Sequence, residues 1–144
     1  MKIAIGADHG GFELKAELCE RLKKLGHEVG DLGTHTKESC DYPDIAVELS
    51  HKVVAGEYEC GILICGTGIG VSMAANKVPG IRAALCADCF SARMAREHND
   101  ANVITLGART LGNELAFEIV QAYLNASFLG DKHARRVGKI NRIC

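Results

Sequence analysis

The most restrictive feature of this chain is a strict alternation. Short apolar runs of strand length are followed by longer runs whose apolar residues recur at helical spacing. Lys2 to Gly6 reads as a strand, and Phe12, Leu14, Ala16, Leu18, Leu22 and Leu25 line a helix that stops at Gly26. His27 to Leu32 is a weaker strand, followed by a polar loop through Thr34, Ser39 and Pro43. Ile45 to Ala55 carries a buried helix face ended by Gly56, and Gly61 to Cys65 is a continuous apolar run of the kind found in strands covered on both faces. Beyond a glycine loop, Ser72 to Asn76 forms a short helix, Ile81 to Ala87 a fourth strand, and Cys89 to Glu97 a helix that Asp88 can cap. Val103 to Gly107 is a fifth strand, Leu115 to Leu124 an apolar helix, and the basic segment Lys132 to Arg142 a last one. Such alternation predicts an α/β, three-layer, Rossmann-like fold, with a five-stranded parallel sheet, right-handed crossovers and helices on both faces.

No repeat or linker divides the 144 residues, so residues 1–144 are expected to form one domain. A domain of this size can build a core without disulfide or metal staples, but has few elements to spare for lids over a deep cleft. With 17 Lys plus Arg against 18 Asp plus Glu, the formal charge of −1 offers no footprint for nucleic acid or an anionic membrane. Seven cysteines, at 19, 40, 60, 65, 86, 89 and 144, are an odd set scattered through apolar runs. That suits reduced thiols in the cytoplasm better than a disulfide scaffold. The first apolar stretch stops at Asp8-His9, too short for a signal peptide, and no run approaches the ~20 apolar residues of a membrane span.

In an open α/β sheet, ligands bind beyond the carboxyl ends of the strands. Two segments there carry reactive side chains and loop glycines: Asp8-His9-Gly10-Gly11, and Cys65-Gly66-Thr67-Gly68-Ile69-Gly70. Alternate glycines let backbone amides turn toward a phosphate or a developing oxyanion, with the following helix adding its positive end. The competing reading is a tight strand-to-helix turn. A dinucleotide fingerprint would want glycine at Val71, and the lysine of a P-loop is absent. Cys65, at the seam of strand and loop, is either a small core residue or a thiol that amide donors favour as thiolate. If the two loops are adjacent, a carboxylate, an imidazole, a thiol and an anion nest share one pocket, which is a catalytic constellation. His98 and Asn99 lie near a helix C-terminus, where a cation is favoured in any case. Arg109, Lys132, His133, Arg135, Arg136, Lys139 and Arg142 form the local positive cluster, a solvated face or a phosphate clamp. Cys86-Ala87-Asp88-Cys89 is a lone C-x-x-C. Cys60 and Cys65 cannot complete a metal site with it, since strand positions five apart face opposite sides.

These blocks, in order, resemble the ribose-5-phosphate isomerase B family of sugar-phosphate isomerases, nearly end to end. The carriers are Ile5 to Phe12, Asp41-Tyr42-Pro43-Asp44, Cys65 to Gly70, Ala74 to Lys77 with Gly80 to Ala83, Ala95 to Val103, and Arg136. The resemblance implies cofactor-free and metal-free interconversion of ribose 5-phosphate and ribulose 5-phosphate in the pentose phosphate pathway, through a cis-enediolate. Cys65 would be the base, Thr67 and the amides of Gly66, Gly68, Ile69 and Gly70 would hold the enediolate oxygens, and His98 would open the sugar ring with Asp8 assisting. Asn99 would bind sugar hydroxyls, while His9, Arg109, Lys132 and Arg136 would surround the phosphate. It further implies a homodimer or dimer of dimers with sites between subunits, the C-terminal helix reaching toward the partner. Lys132 stands where the family usually has Arg, giving a point charge instead of a two-point grip. The alternatives are an isomerase of allose 6-phosphate or galactose 6-phosphate, and a phosphate- or nucleotide-binding module without catalysis.

Overall fold

The computed structural model describes residues 1–143, so Cys144 lies outside the described residues. The elements are β1 (Lys2–Ala7), α1 (Phe12–Lys24), β2 (Glu28–Asp31), α2 (Tyr42–Val54), β3 (Cys60–Cys65), α3 (Ile69–Ala75), β4 (Ala83–Leu85), α4 (Cys89–Asn99), β5 (Val103–Gly107), α5 (Asn113–Leu124) and α6 (Asp131–Ile140). The five strands form one wholly parallel sheet in the order β2-β1-β3-β5-β4. This is the expected Rossmann-like α/β architecture, with β5 inserted between β3 and a short edge strand.

Side-chain alternation along the central strands divides the core in two. Ile3, Ile5, Ile62, Ile64 and Ile104 pack under α1, α4 and α5 through Leu14, Leu18, Leu22, Ala92, Ile119 and Tyr123. Ala4, Leu63, Cys65 and Val103 face α2 and α3 through Ala46, Leu49, Val53, Val71 and Ala75. Cys60 and Cys65 fall in opposite layers, as their spacing on one strand requires. The chain leaves β1 for β2 on one side and comes back to β3 on the other. Its connections therefore diverge at the carboxyl ends of β1 and β3, the switch point where such sheets bind ligands.

Several boundaries differ from the sequence expectation for local reasons. Pro43 lies in the first turn of α2 instead of the preceding loop, where its missing N–H costs no helical bond. α3 begins at Ile69, directly after the left-handed Gly68, and not at Ser72. β4 is three residues long, and its amino end is cut back because the Ile81 N–H turns back to the Val78 carbonyl and the Arg82 N–H is taken by the Asn102 side chain.

Nothing in the local pattern marks Lys15, which is buried on α1 at 2% exposure with its ammonium on the Asp31 carboxylate. Asp31 also accepts the Gly33 N–H, and Gly33 and Thr34 in turn bond both backbone groups of Ala7. The ion pair thus holds the loop after β2 against the end of β1. Burial works against the Asp31 carboxylate, but the bonds from Lys15 and Gly33 win and hold its pKa below the usual range. Breaking a buried pair costs ~3–5 kcal/mol. Asp31 is one-third exposed, so Lys15→Met should lose an amount at the low end of that range, read as a drop in the urea midpoint at unchanged slope.

Candidate active site

The parallel register sets Cys65 beside Gly107 at the carboxyl edge, and the loops after β1, β3 and β5 meet there. The Asp8 N–H donates to the Ile64 carbonyl at 3.1 Å. A methyl group built on Gly10 would stand 3.4 Å from the Gly66 nitrogen, so the two glycine-bearing loops touch, which is the condition for a shared site. The Ala108 and Arg109 N–H groups donate to the Cys65 and Gly66 carbonyls, both at 2.9 Å, and carry the Arg109 side chain across Gly66. At the other end of the loop, the Tyr42 ring and hydroxyl lie 2.6–2.8 Å from where a Gly70 Cβ would be.

Cys65 is 5% exposed, and its sulfur accepts the Gly68 N–H at 3.1 Å. That donor aims its positive end at the sulfur, the contact a thiolate uses. Thr67 Oγ1 accepts the Ile69 N–H at 3.3 Å, which leaves its own hydroxyl proton to give away. Two of the loop amides expected to face an oxyanion, those of Gly68 and Ile69, are therefore directed at partners inside the loop. Gly68 has φ +77°, and its carbonyl accepts the buried Thr105 hydroxyl at 2.8 Å, tying the loop to the middle of β5. A Cβ on Gly68 would approach the Leu106 carbonyl carbon to 2.9 Å. Gly68→Ala should therefore lose ~1–3 kcal/mol from backbone strain alone, lower the melting temperature and cut activity further by moving the Cys65 donor.

Asp8 is buried at 8% exposure, and its Oδ1 accepts the Gly10 and Gly11 N–H groups at 2.9 and 3.2 Å. It closes the loop ahead of α1 and does not cap the helix, whose N-cap is Gly11. His9 Nδ1 accepts the Cys40 N–H at 3.3 Å, which assigns the proton of the neutral ring to Nε2. Asp88 caps α4 as expected, accepting the Ser91 N–H at 2.7 Å. The remaining buried thiols are of another kind. Burial pushes Cys19 and Cys86 up to about 11 and Cys60 up to about 12, which leaves them protonated and inert.

His98, Asn99, Lys132 and Arg136 lie elsewhere in the same chain. α4 runs antiparallel to the strands, so its last turn returns to the amino edge of the sheet. There the Arg82 guanidinium donates to the Asn99 carbonyl at 3.1 Å, just ahead of β4, and the Gly61 N–H donates to the Asn102 carbonyl at 2.9 Å, at the start of β3. The 11 residues of α4 rise roughly 16 Å and the six of β3 roughly 20 Å, so this cluster and Cys65 stand at opposite edges of the sheet. α6 packs on that end of α4, and the His133 ring stacks on His98 with centroids 4.1 Å apart and planes 7° off parallel. His98, His133, Lys132 and Asp131 line one recess. The chain thus gathers Asp8, His9, Cys65, Gly66, Thr67, Gly68, Ile69, Gly70 and Arg109 at one edge, and His98, Asn99, Lys132 and Arg136 at the other. Two neighbours of the site went unassigned from sequence: Tyr42, although it stands in one of the recognisable blocks, and His133, hidden within a basic run.

Comparison with known proteins gives a consistent result. The family model for ribose/galactose isomerases matches residues 3–140. Ribose-5-phosphate isomerase B of Escherichia coli is 49% identical over 142 residues, covering 99% of this chain and 95% of the relative. D-erythrulose-4-phosphate isomerase of Pectobacterium atrosepticum is 48% identical, covering 97% and 93%. The solved structure of Clostridium thermocellum ribose-5-phosphate isomerase B superposes with a TM-score of 0.98 at 57% identity, over 99% of this chain and 97% of that one.

Proposed function

Since the chain belongs to the ribose/galactose isomerase family and is a sugar-phosphate isomerase, we propose that its reaction is the interconversion of D-ribose 5-phosphate and D-ribulose 5-phosphate through a cis-enediolate, with Cys65 as the base. The observation that carries this reading is the Cys65 sulfur, held by the Gly68 N–H in a loop that touches the Asp8–Gly11 turn. In the forward direction the thiolate takes the C2 proton of the open-chain aldose, and the electron pair moves onto the carbonyl oxygen at C1. A proton then passes from the C2 oxygen to the C1 oxygen with help from the Asp8 carboxylate. Collapse of the charge at the C2 oxygen forms the ketone, as Cys65 returns its proton to C1. Donors fixed where that oxyanion develops are worth ~3–4 kcal/mol each. The Thr67 hydroxyl and the amides of Gly66 and Gly70 serve there, since those of Gly68 and Ile69 are held by Cys65 and Thr67.

The separation of the two clusters supports a homodimer, or a dimer of dimers, as the working unit. A second copy brings its His98 to open the ring, its Asn99 to the hydroxyls, and its Lys132 and Arg136 to the phosphate, joining His9 and Arg109. Removing a charge-assisted bond costs ~1.5–3 kcal/mol. Arg136→Ala should thus raise KM for ribose 5-phosphate about 10- to 100-fold, whereas His98→Ala should act mainly on kcat. Equal effects on KM from both changes would erase this division of roles.

Relatives of nearly equal identity carry five- and four-carbon names, so a panel decides the substrate. Purified protein should show its highest kcat/KM on ribose 5-phosphate, compared with erythrulose 4-phosphate, allose 6-phosphate and galactose 6-phosphate. Turnover of another of these without turnover of ribose 5-phosphate would replace the assignment.

A further inference from the structure

We propose that His133 is a positioning residue for His98, fixing the plane of its imidazole and so the ring-opening half of the reaction. This rests on the reading of His98 as the ring-opening group. A histidine ring has a broad, roughly two-fold χ2 preference, and its plane is set by what packs on it. His98 is on the last turn of α4, where the helix ends at the left-handed Asp100 and no further turn covers the ring. The ring that covers it is His133, face to face at 4.1 Å and 7°.

That stack is braced on both sides. Before α6, the Leu129 N–H donates to the Glu97 carbonyl at 3.0 Å, and the His133 N–H closes the first turn on the Gly130 carbonyl at 2.9 Å. Beyond α6, Arg82 donates to the Asn99 and Asp100 carbonyls and to the Asn141 side chain, clamping the far end of α6 to the end of α4. Val137 buries the face of α6 between these points. α6 is therefore tied to the end of α4 before and after the stack, and His98 has a wall instead of solvent on one face.

The charges around the stack act in the same direction. Burial, then His98, Lys132 and Arg136, hold the His133 imidazole below its ordinary range, against a smaller opposing pull from Asp131. A neutral His133 lets His98 take up and release a proton without a second imidazolium against its face.

The test separates ring opening from enolisation. Ribulose 5-phosphate is acyclic, because its C5 oxygen carries the phosphate, so exchange of its C1 hydrogen with D2O needs Cys65 but no ring opening. His133→Ala should cut kcat for ribose 5-phosphate about 10-fold or more, with KM changed by less than about three-fold, while the exchange rate of ribulose 5-phosphate stays near wild type. His133→Phe, which keeps a flat ring on His98, should recover most of the lost kcat. The proposal is overturned if His133→Ala leaves kcat intact, if exchange falls in parallel, or if KM rises in both directions and Phe does not rescue, which would mark His133 as a phosphate contact. Should the Ala variant not fold, His133→Phe against His133→Gln decides in the same way: a Phe variant no better than Gln sinks the idea. Failure of the underlying reading looks different: His98→Ala would then keep kcat for ribose 5-phosphate near wild type, and a wild type that neither isomerises nor exchanges would remove the proposed reaction itself.

Discussion

Cys65→Ala should reduce turnover of ribose 5-phosphate by about 10³-fold or more while leaving the protein folded. A positioned base contributes ~10²–10⁴-fold, and in the proposed mechanism the same sulfur both removes the proton and returns it at the neighbouring carbon, so no second group compensates. The structural cost is small by comparison. The sulfur is a minor piece of the core layer beneath α2 and α3, and losing it opens a void of about one atom, on the order of 1 kcal/mol. Melting temperature and circular dichroism should stay near wild type as kcat collapses. Cys65→Ser is the sharper control, because it keeps an acceptor for the Gly68 N–H but offers an alcohol far too weak an acid to ionise. Retention of more than a tenth of wild-type kcat by either variant would remove Cys65 from the role of base.

Mixing two dead variants should restore activity, the second large effect. Cys65→Ala disables the carboxyl-edge cluster and His98→Ala the amino-edge cluster of the same chain. In a two-fold dimer with sites between copies, a mixed pair has one site holding both lesions and one holding neither. Unfolding and refolding an equimolar mixture should thus yield about half mixed dimers, and about a quarter of wild-type activity, from two parents that each show almost none. Recovery no greater than the sum of the parents would mean that each copy completes its own site, and the proposed assembly would fall.

The sequence made the strands legible wherever a run was apolar on both faces, as in Gly61 to Cys65, and helix ends wherever a glycine closed them, as at Gly26 and Gly56. It misjudged β4, whose apolar letters extend from Ile81 to Ala87 while only Ala83–Leu85 finds a partner strand. Pairing is a property of the neighbour, and the order that puts β4 outside β5 is written in no local pattern. Candidate site residues behaved similarly. Asp8, Cys65 and Thr67 were legible because they stand just after strands that must be adjacent. His98 and Cys65 belong to one reaction by resemblance, yet the direction of α4 puts them at opposite edges of the sheet. Lys15 carried no signal and His133 stood out only as one of a basic run, because each draws its meaning from one long-range contact, with Asp31 and with His98 respectively.

The bond from Thr105 to Gly68 has a consequence for how this scaffold measures a sugar. A cradle fastened to the middle of the sheet by a buried hydroxyl is a fixed jaw, and the Cys65 end of the proposed site offers every substrate the same geometry. In the proposed dimer, the clamp of His98, Lys132 and Arg136 comes from a separate body, the second copy. The span between the jaws is then set by how two copies dock, not by a loop that adjusts. Sugar length becomes a property of the assembly, and a substitution at the subunit contact, far from any reacting atom, can retune which phosphate sugar fits.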